Sequence, residues 1–405
     1  MILKMAFLNL FRHRARVLLS LLTIAGAIAS TVIFRGYSHN ILRKLRLYAA
    51  ENQYGHVQIG SQKLWSPDSE RIKDQLIDLS PEILSKLRTY PEVRSVAPRL
   101  PLHGLVTNGD VQFGAKIIGY DPEMEITFRE SLNVIGGQHI TDAKDLGILL
   151  GMGLNKKLKT KVGDSVSVVT QTVDGVVNAV DLTVRGLFLT TIADIDNQVA
   201  FVPISVAHGL LDTANVETWT IRFNNIDQTF AMRDRINEDL KPFKPNLVAK
   251  TWRDLADLYN RTEEFFGIQN FIVQSILAAL TVLAILNTVG MTVYERTGEI
   301  GTLRSLGQMR HEVVQQFCVE GIFLASIAAV LGAIISILAA SIINAAGFAT
   351  ALPGASVEVP IEIDLVGSAF AIAIAMGFAA TLIGTIFPAW RASRLAIVDA
   401  LRRNI

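Results

Sequence analysis

The sequence has a single cysteine, no phosphate-binding loop and no metal-binding motif, and each absence excludes a class of protein. Because that cysteine is Cys318, the 35–264 stretch contains none and cannot be stabilised by disulfide bonds. No GxxxxGK[ST] sequence is present, so this chain cannot hydrolyse ATP through a P-loop of its own. The 7 histidines are scattered, with no HExxH and no CxxC pattern. We therefore expect no metal site and no catalytic residue in this chain.

Charged residues are also scarce, at 19% of the chain, whereas 50% of the residues are hydrophobic and are concentrated in blocks. A helix of about 20 mostly apolar residues crosses the hydrocarbon core of a bilayer. Four stretches have an apolar core that is free of Asp, Glu, Lys and Arg: residues 17–34, 268–293, 321–346 and 365–387. This pattern predicts an integral membrane protein with four transmembrane helices. The missing charges argue against a proton-coupled pump and against a channel with a charged filter.

Basic residues beside these stretches predict their orientation, because Lys and Arg concentrate in cytoplasmic flanks. The flanks before the first span and after the fourth are basic, whereas the connection between the third and fourth spans has no basic residue. We therefore expect both termini in the cytoplasm and the long segment after the first span outside. The predicted boundaries are a cytoplasmic N-terminal segment at 1–16, transmembrane helices at 17–34, 265–293, 318–346 and 365–388, an external domain at 35–264, a cytoplasmic segment at 294–317, an external loop at 347–364 and a cytoplasmic tail at 389–405.

The first apolar stretch has an alternative interpretation as a cleaved signal peptide, with the small residues at 27–30 as its cleavage site. Its apolar run continues past that site to Phe34, which is long for the hydrophobic region of a signal peptide. A retained transmembrane helix is the simpler interpretation.

The segment between the first two spans combines helical and strand patterns. Amphipathic spacing predicts a helical stalk at each end of it, at 37–51 and 253–266. Between the stalks, the predicted elements are helices at 81–89 and 228–240, strands at 111–119, 165–170 and 218–223, and turns at 108–110 and 174–175. The predicted fold class is thus a four-helix membrane α-helical protein with a large α+β domain between helices 1 and 2, whose more β-rich lobe covers 136–201.

A charged, glycine-containing stretch interrupts the apolar C-terminal third, at NTVGMTVYERTGEIGTLRSLGQMRHEVVQQFCVEG, residues 287–321. It predicts a short amphipathic helix with Ile300, Leu303 and Leu306 on one apolar side. Gly298 and Gly307 are predicted to let the chain turn at the two ends of this helix. On physical grounds the stretch is either a docking surface or a solvated interfacial loop.

Three motifs resemble the ABC transporter permeases of the MacB, LolC/LolE and FtsX family. They are NTVGMTVYERTGEIGTLRSLG, the tail PAWRASRLAIVDALR, and AFLNLFRHRARVLLSLLTIAGA near the start. The tail departs from the family pattern at Ile397, where proline is common. These motifs lie in the membrane-spanning parts at both ends of the sequence. The external domain resembles the family in its position and in the order of its parts.

The resemblance implies a non-catalytic permease subunit in a bacterial inner membrane, with its large domain in the periplasm. Permeases of this family work as dimers, with a second copy or a paralogue, and with separate cytoplasmic ABC ATPases that bind ATP and Mg²⁺. Closure of their membrane helices moves porter-like and smaller β-rich periplasmic lobes, a mode of action called mechanotransmission. The resemblance assigns contact with the ATPase to Glu295, Arg296, Glu299, Ile300, Leu303 and Arg304.

Uncharged spans suit a substrate that never crosses the bilayer, such as a lipoprotein or another amphiphile taken from the membrane. Apolar residues in the first two spans are predicted to receive its acyl chains, with lipid contact or helix packing as the alternative role: Ile28, Val32, Phe34, Phe266 and Phe271. The architecture is most similar to LolC/LolE-like permeases, which implies lipoprotein export. Two alternatives stay open: MacB-like efflux through a periplasmic adaptor and an outer-membrane channel, and FtsX-like activation of a cell-wall hydrolase without transport. A periplasmic chaperone is a further possible partner, and nucleic acid is not expected.

Overall fold

The structure, a computed structural model, describes residues 14–66, 72–78, 81–190, 192–242, 246–350 and 358–394. The chain divides into two compact units, one of residues 1–42, 262–348 and 360–405 and the other of residues 43–261 and 349–359. The helices are α1 (Arg14–Leu47), α2 (Ile72–Gln75), α3 (Pro81–Arg88), α4 (Ile126–Ser131), α5 (Met152–Leu158), α6 (Ala193–Gln198), α7 (Ile204–Leu211), α8 (Thr229–Leu240), α9 (Trp252–Leu255), α10 (Asp257–Glu295), α11 (Thr297–Ser305), α12 (Arg310–Ala346) and α13 (Gly367–Ser393). The strands are β1 (Val57–Ser61), β2 (Val93–Thr107), β3 (Gln112–Tyr120), β4 (Val134–Gly137), β5 (Gly147–Gly151), β6 (Ser165–Gln171), β7 (Val177–Phe188), β8 (Val199–Pro203), β9 (Thr218–Phe223), β10 (Leu247–Thr251), β11 (Ala349–Thr350) and β12 (Val359–Pro360).

Four long helices dominate the first unit, and all four are long and apolar enough to cross a membrane. They are α1, α10, α12 and α13, which confirms the four predicted apolar helices. Helix α10 has 39 residues, or roughly 60 Å at 1.5 Å per residue, which is about twice the thickness of a hydrocarbon core. The helix therefore continues into the predicted second stalk, because charged residues beyond the apolar core do not interrupt backbone hydrogen bonding. Beyond α1, a π-helical turn (Tyr48–Gln53) likewise extends the first stalk.

Glycine allows close helix packing within this unit. A Cβ atom on Gly332 of α12 would lie 2.9 Å from both the Cβ of Ile28 and the carbonyl oxygen of Ala25, so only glycine fits where α12 meets α1. A Cβ atom on Gly377 of α13 would lie 3.0 Å from the Cδ1 of Ile28. Ile28 thus packs against glycines of two other helices, in a buried cluster that forms the core of the helices.

A sheet of ten strands forms the centre of the second unit. Its order is β10-β1-β9-β2-β3-β8-β5-β7-β4, with β6 pairing with β2 and β7. The pairs β3–β8 and β5–β7 are parallel, and the other pairs are antiparallel. The strands of the predicted β-rich lobe therefore belong to the same sheet as β1, β9 and β10.

The predicted elements of this unit lie close to the observed ones. The predicted strand at 218–223 coincides with β9, and the predicted helix at 81–89 is α3. Gly109 and Gly175 adopt positive φ angles of 98° and 86° in the turns that follow β2 and β6. Both turns were predicted from sequence, since glycine adopts these angles without steric cost.

The two faces of the sheet have different environments. Leu100 and Leu102 of β2 point into the main core, where helices α3, α7 and α8 pack. Arg99 and Pro101 alternate with them and therefore point to the opposite face. A second, smaller core lies on that face around Tyr120. Arg99 therefore lies on the face of the sheet that helices α3, α7 and α8 do not cover.

Candidate functional site

The predicted docking segment forms a distinct short helix between two long ones. Helix α10 ends at Glu295, and Arg296 makes the turn into α11 with φ −94° and ψ 12°. After α11, Gly307 has a φ of 101° and reverses the chain toward α12. The prediction for Gly307 is thus confirmed. The prediction for Gly298 is wrong, because this residue is buried inside α11 and an ordinary residue makes the first turn.

One face of α11 is buried and the other is exposed. Thr297, Gly298, Ile300 and Gly301 are buried, and Ile300 packs in a cluster with residues of α10, α12 and α13. Leu306, just after the helix, is 80% exposed. The predicted single apolar side is therefore wrong. Ile300 and Leu306 are six residues apart, which places them about 120° apart around a helix axis.

Arg296 attaches α11 to α12. Its guanidinium donates to Glu320 at 3.1 Å and to Glu299 at 3.3 Å, and lies over the ring of Phe317, 5.5 Å from the ring centre. The side chains of Arg296 and Glu320 are only 12% and 13% exposed. Because this pair is largely shielded from water, it restrains α11 more than a surface ion pair would.

The six predicted ATPase-contacting residues divide into two groups. Glu295, Glu299 and Leu303 are exposed and Arg304 is half-buried, whereas Arg296 and Ile300 contact the helix bundle. Glu295 also accepts a hydrogen bond from Arg16 at 2.7 Å, which joins the end of α10 to the start of α1. Contact with an ATPase stays a prediction for all six.

Three further apolar side chains beside α11 are exposed. Tyr294 and Met309 are each 62% exposed, and Leu306 is 80% exposed. We call the exposed surface made by Tyr294, Glu299, Leu303, Leu306 and Met309 the docking face. Tyr294, Leu306 and Met309 lie outside the predicted contact set. The signal that could have included them is the presence of apolar residues beside a short charged helix.

The five predicted substrate-contacting residues have different environments. Ile28 and Val32 lie in the buried core of the helices, Phe266 is buried against Tyr37, and Phe34 is half-buried. Phe271 is 72% exposed. Burial favours the packing role for Ile28 and Val32, and contact of these five residues with a substrate stays a prediction.

A buried cluster of charges holds the end of the first stalk in the second unit. Arg99 of β2 and Arg222 of β9 both donate to Glu125, at distances of 2.6 to 2.9 Å. Their guanidinium groups also donate to backbone carbonyls of the π-helical turn, Arg99 to Gln53 at 2.6 Å and Arg222 to Glu51 at 2.9 Å. We call Arg99, Glu125 and Arg222 the arginine clamp.

Almost no water reaches the arginine clamp. The side chains of Arg99, Glu125 and Arg222 are 4%, 0% and 1% exposed. Burial would raise the pKa of Glu125, yet the two adjacent guanidinium groups hold the pKa of this carboxyl below its usual range. The cluster is therefore charged, and substituting one member would leave the remaining buried charges only partly compensated.

His56 adds a second connection to the π-helical turn. Its Nδ1 accepts the backbone N–H of Phe223 at 2.9 Å, so Nε2 carries the proton and donates to Glu51 at 3.0 Å. This hydrogen bond from His56 holds the pKa of Glu51 below its usual range. Neither the clamp nor His56 was predicted from the sequence. The signal available was a charged Arg222 in the strand TWTIRF, where neighbours on both sides are buried.

Two family models match the chain. Residues 17–239 match the MacB-like periplasmic core domain, and residues 271–397 match the FtsX-like permease C-terminal domain. The first match covers more than half of the chain and includes the arginine clamp. The second includes α11 and the docking face.

Several curated proteins are similar in sequence. The lipoprotein-releasing system transmembrane protein LolC of Xylella fastidiosa is 25% identical over 329 residues, which are 78% of this chain and 79% of that protein. The macrolide export ATP-binding/permease protein MacB of Bartonella quintana is 27% identical over 99% of this chain and 59% of that protein. The pyoverdine export ATP-binding/permease protein PvdT of Pseudomonas syringae is 24% identical over 96% of this chain and 57% of that protein. The chain thus spans less than two thirds of the MacB and PvdT relatives.

Among solved structures, the periplasmic region of MacB from Actinobacillus actinomycetemcomitans matches 51% of this chain and 92% of that structure. The identity is 16% and the TM-score is 0.37. The extracellular domain of the ABC-type transporter YknZ from Gram-positive bacteria matches 49% of this chain with a TM-score of 0.36.

Proposed function

Since the chain belongs to the MacB/LolC/FtsX family of ABC transporter permeases, we propose that it couples ATP hydrolysis by a separate cytoplasmic ATPase to movement of its sheet-containing unit. In this proposal the docking face and both termini lie in the cytoplasm, and residues 43–261 lie in the periplasm of a bacterial inner membrane. The permease itself is non-catalytic and acts as a dimer with a second copy or a paralogue. ATP and Mg²⁺ bind to the ATPase.

The observation that carries the proposal is the division of α11 into two faces. Its buried face is fastened to the helix bundle by Ile300 and by the Arg296–Glu320 pair. Its other face presents apolar and acidic side chains to the surroundings. A short helix that is attached to the bundle by one face and exposes apolar side chains on the other suits a partner that pushes on it. Displacement of this helix then passes to α10 and α12 instead of being absorbed by a local rearrangement.

At the other end of α1, the arginine clamp supplies the second element that such coupling needs. Helix α1 and the π-helical turn form one helical run from Arg14 to Gln53. The clamp fixes the last residues of that run to strands β2 and β9. We propose that displacement of α1 passes through these hydrogen bonds into the sheet.

Lipoprotein or another amphiphile of the inner membrane is the proposed substrate. The four apolar cores contain no ionisable residue, which suits a cargo whose acyl chains stay in lipid. One similar protein, 79% of which is covered by the match, is named as the transmembrane protein LolC of a lipoprotein-releasing system. Phe271, the most exposed of the predicted substrate-contacting residues, is the first candidate for contact with an acyl chain.

Efflux of a periplasmic substrate through an adaptor is the second candidate function. It is favoured by the similarity to MacB, which extends over 99% of this chain. The FtsX-like alternative, activation of a cell-wall hydrolase without transport, rests on the C-terminal match alone.

ATP-dependent release of a labelled lipoprotein from proteoliposomes tests the proposal. The permease is reconstituted with its ATPase and a fluorescent triacylated lipoprotein, and soluble lipoprotein is measured with ATP and with a non-hydrolysable analogue. Release that needs hydrolysis supports lipoprotein export. ATP turnover without release, but with stimulation by a co-purifying adaptor or hydrolase, would contradict it and favour one of the alternatives.

A further inference from the structure

A cavity of about 250 Å³ lies on the sheet face that carries Arg99 and Pro101. Aromatic and aliphatic side chains make up much of its wall, among them Tyr54, Trp65 and Phe201. A neighbouring cavity of about 290 Å³ shares Tyr48, Gln53, Tyr54 and Ile195 with it. Both cavities therefore adjoin the π-helical turn at the end of the first stalk.

Two opposite charges line the first cavity without pairing. Glu217 precedes β9 and Lys116 lies on β3, and among the described residues neither side chain has a hydrogen bond or an ion pair. They nevertheless interact at longer range. Burial raises the pKa of Glu217 to about 7, and Lys116 opposes this rise. Such a carboxylate lacks the partner that would stabilise its charge.

The other charged group of this cavity is already engaged. Arg99 lines the wall, but its guanidinium already donates to Glu125 and to carbonyls of the π-helical turn. Burial raises the pKa of both Tyr48 and Tyr54, so their phenols are neutral near pH 7. Among the described lining residues, Glu217 and Lys116 are thus the charged groups whose side chains have no such bonds.

We propose that this cavity binds a small zwitterionic amphiphile, whose ammonium group pairs with Glu217 and whose carboxylate or phosphate group pairs with Lys116. Its apolar part lies against Trp65 and Phe201. The aromatic rings that line the same cavity also favour an ammonium group over a neutral donor. A ligand that carries both charges satisfies Glu217 and Lys116 together, which a simple cation or anion cannot do. The inference does not rest on the proposed function, because it concerns one unit of the permease alone.

Two sources provide this chemistry, an amino acid and the phosphoethanolamine headgroup of a lipid. The probes are therefore L-phenylalanine and dihexanoyl phosphatidylethanolamine, which stays soluble as a monomer. Each has an anionic counterpart without an ammonium group: 3-phenylpropionate, which lacks only the amino group, and dihexanoyl phosphatidylglycerol, in which glycerol replaces ethanolamine. Binding to the full-length permease in nanodiscs is measured by titration calorimetry, with empty nanodiscs as the reference. No ATPase is present, so failure here leaves the proposed function untouched.

We expect at least one zwitterionic probe to bind about tenfold more tightly than its anionic counterpart, since charge-assisted hydrogen bonds are strong. Glu217→Gln should remove this preference without weakening the anionic probe, because it takes a negative charge out of the cavity. Lys116→Gln should weaken both probes by about threefold, because its exposed ammonium is well solvated. Glu123→Gln, at an exposed position of the same unit, is the matched control and should change nothing. Whichever zwitterion shows the preference identifies the source.

The pH dependence gives an independent measurement. Protonation of Glu217 removes the charge that the ammonium needs, so affinity for the zwitterion should fall as the pH is lowered through about 7. Affinity for the anionic counterpart should not fall over the same range. Equal binding of zwitterion and anion, unchanged binding by Glu217→Gln in a variant that melts like the parent, or no binding of either zwitterion would overturn the proposal.

Discussion

Arg296 donates from Nη1 to both carboxylate oxygens of Glu320, at 3.1 and 3.3 Å. The two residues lie 24 positions apart, on either side of α11, and both are largely buried. Their pairing joins the start of α11 to α12. Helix α11 and the residues after it up to Met309 therefore lie in a loop whose two ends are held together. The orientation of α11 therefore depends on this pair of side chains as well as on apolar packing.

A double-mutant cycle on this pair tests that dependence. Arg296→Ala and Glu320→Ala should each lower the melting temperature of the purified permease, because each removes an ion pair that is largely shielded from water. The double variant should recover part of the loss, with a coupling energy of about 1–3 kcal/mol. Additive effects of the two substitutions would show that the pair does not hold α11.

The docking face predicts a loss of ATPase binding on substitution of its most exposed apolar residue. Leu306→Asp places a charge where an apolar contact is expected, so affinity for the ATPase should fall about tenfold or more. Val176→Asp is the matched control, since Val176 is 64% exposed in the other unit. Affinity is measured with both proteins purified and the permease in nanodiscs. Equal affinities for the two variants would locate the ATPase contact elsewhere.

The arginine clamp predicts a large stability effect from a nearly isosteric change. Glu125→Gln keeps the shape of the side chain but removes the carboxylate that both buried guanidinium groups share; the carboxylate of Glu51, 3.9 Å from Arg222, is then the nearby counter-charge. We expect a loss of about 3–5 kcal/mol in the free energy of unfolding of the sheet-containing unit. Thermal unfolding followed by circular dichroism measures it, beside the exposed Glu123→Gln, which should shift stability by less than about 0.5 kcal/mol. Similar melting of both variants would contradict a charged clamp.

Two glycines give a matched test of helix packing in the first unit. A Cβ atom on Gly332 would lie 2.9 Å from α1, whereas one on Gly290 would meet no atom within 4 Å. Gly332→Ala should therefore destabilise the unit by about 1–3 kcal/mol. Gly290→Ala should be neutral or stabilise it by up to about 1 kcal/mol, since alanine favours a helix. Thermal melting in detergent gives the comparison, and the opposite order would show that α1 and α12 do not pack closely.

Local sequence patterns were sufficient to predict those elements whose own residue types favour the observed structure. The β-branched and aromatic residues of 218–223 predict β9, and Gly109 and Gly175 predict turns because of their backbone angles. The long apolar helices follow from their length and composition. The family match confirms the resemblance predicted from the membrane-end motifs.

Contacts between distant residues were beyond such patterns. Arg99 and Arg222 meet Glu125 across 26 and 97 positions, so no local spacing indicates the clamp. The turn at Arg296 was missed for a different reason. The turn was predicted at Gly298 because glycine has the greatest backbone freedom. In the structure, Gly298 and Ile300 are buried within α11, and this packing places the start of the helix before Gly298.

The hydrogen bonds from Arg99 and Arg222 also have a consequence for the helix that they hold. The last carbonyls of a helix lack internal partners and carry partial negative charge. Here two cationic side chains from strands β2 and β9 satisfy them at Glu51 and Gln53. The sheet thus serves as the C-terminal cap of the first helical run, and this cap exists only while β2 and β9 are paired. Fraying of that helix and unfolding of the sheet are therefore expected to be one cooperative event, detectable as a shared rate of amide hydrogen exchange.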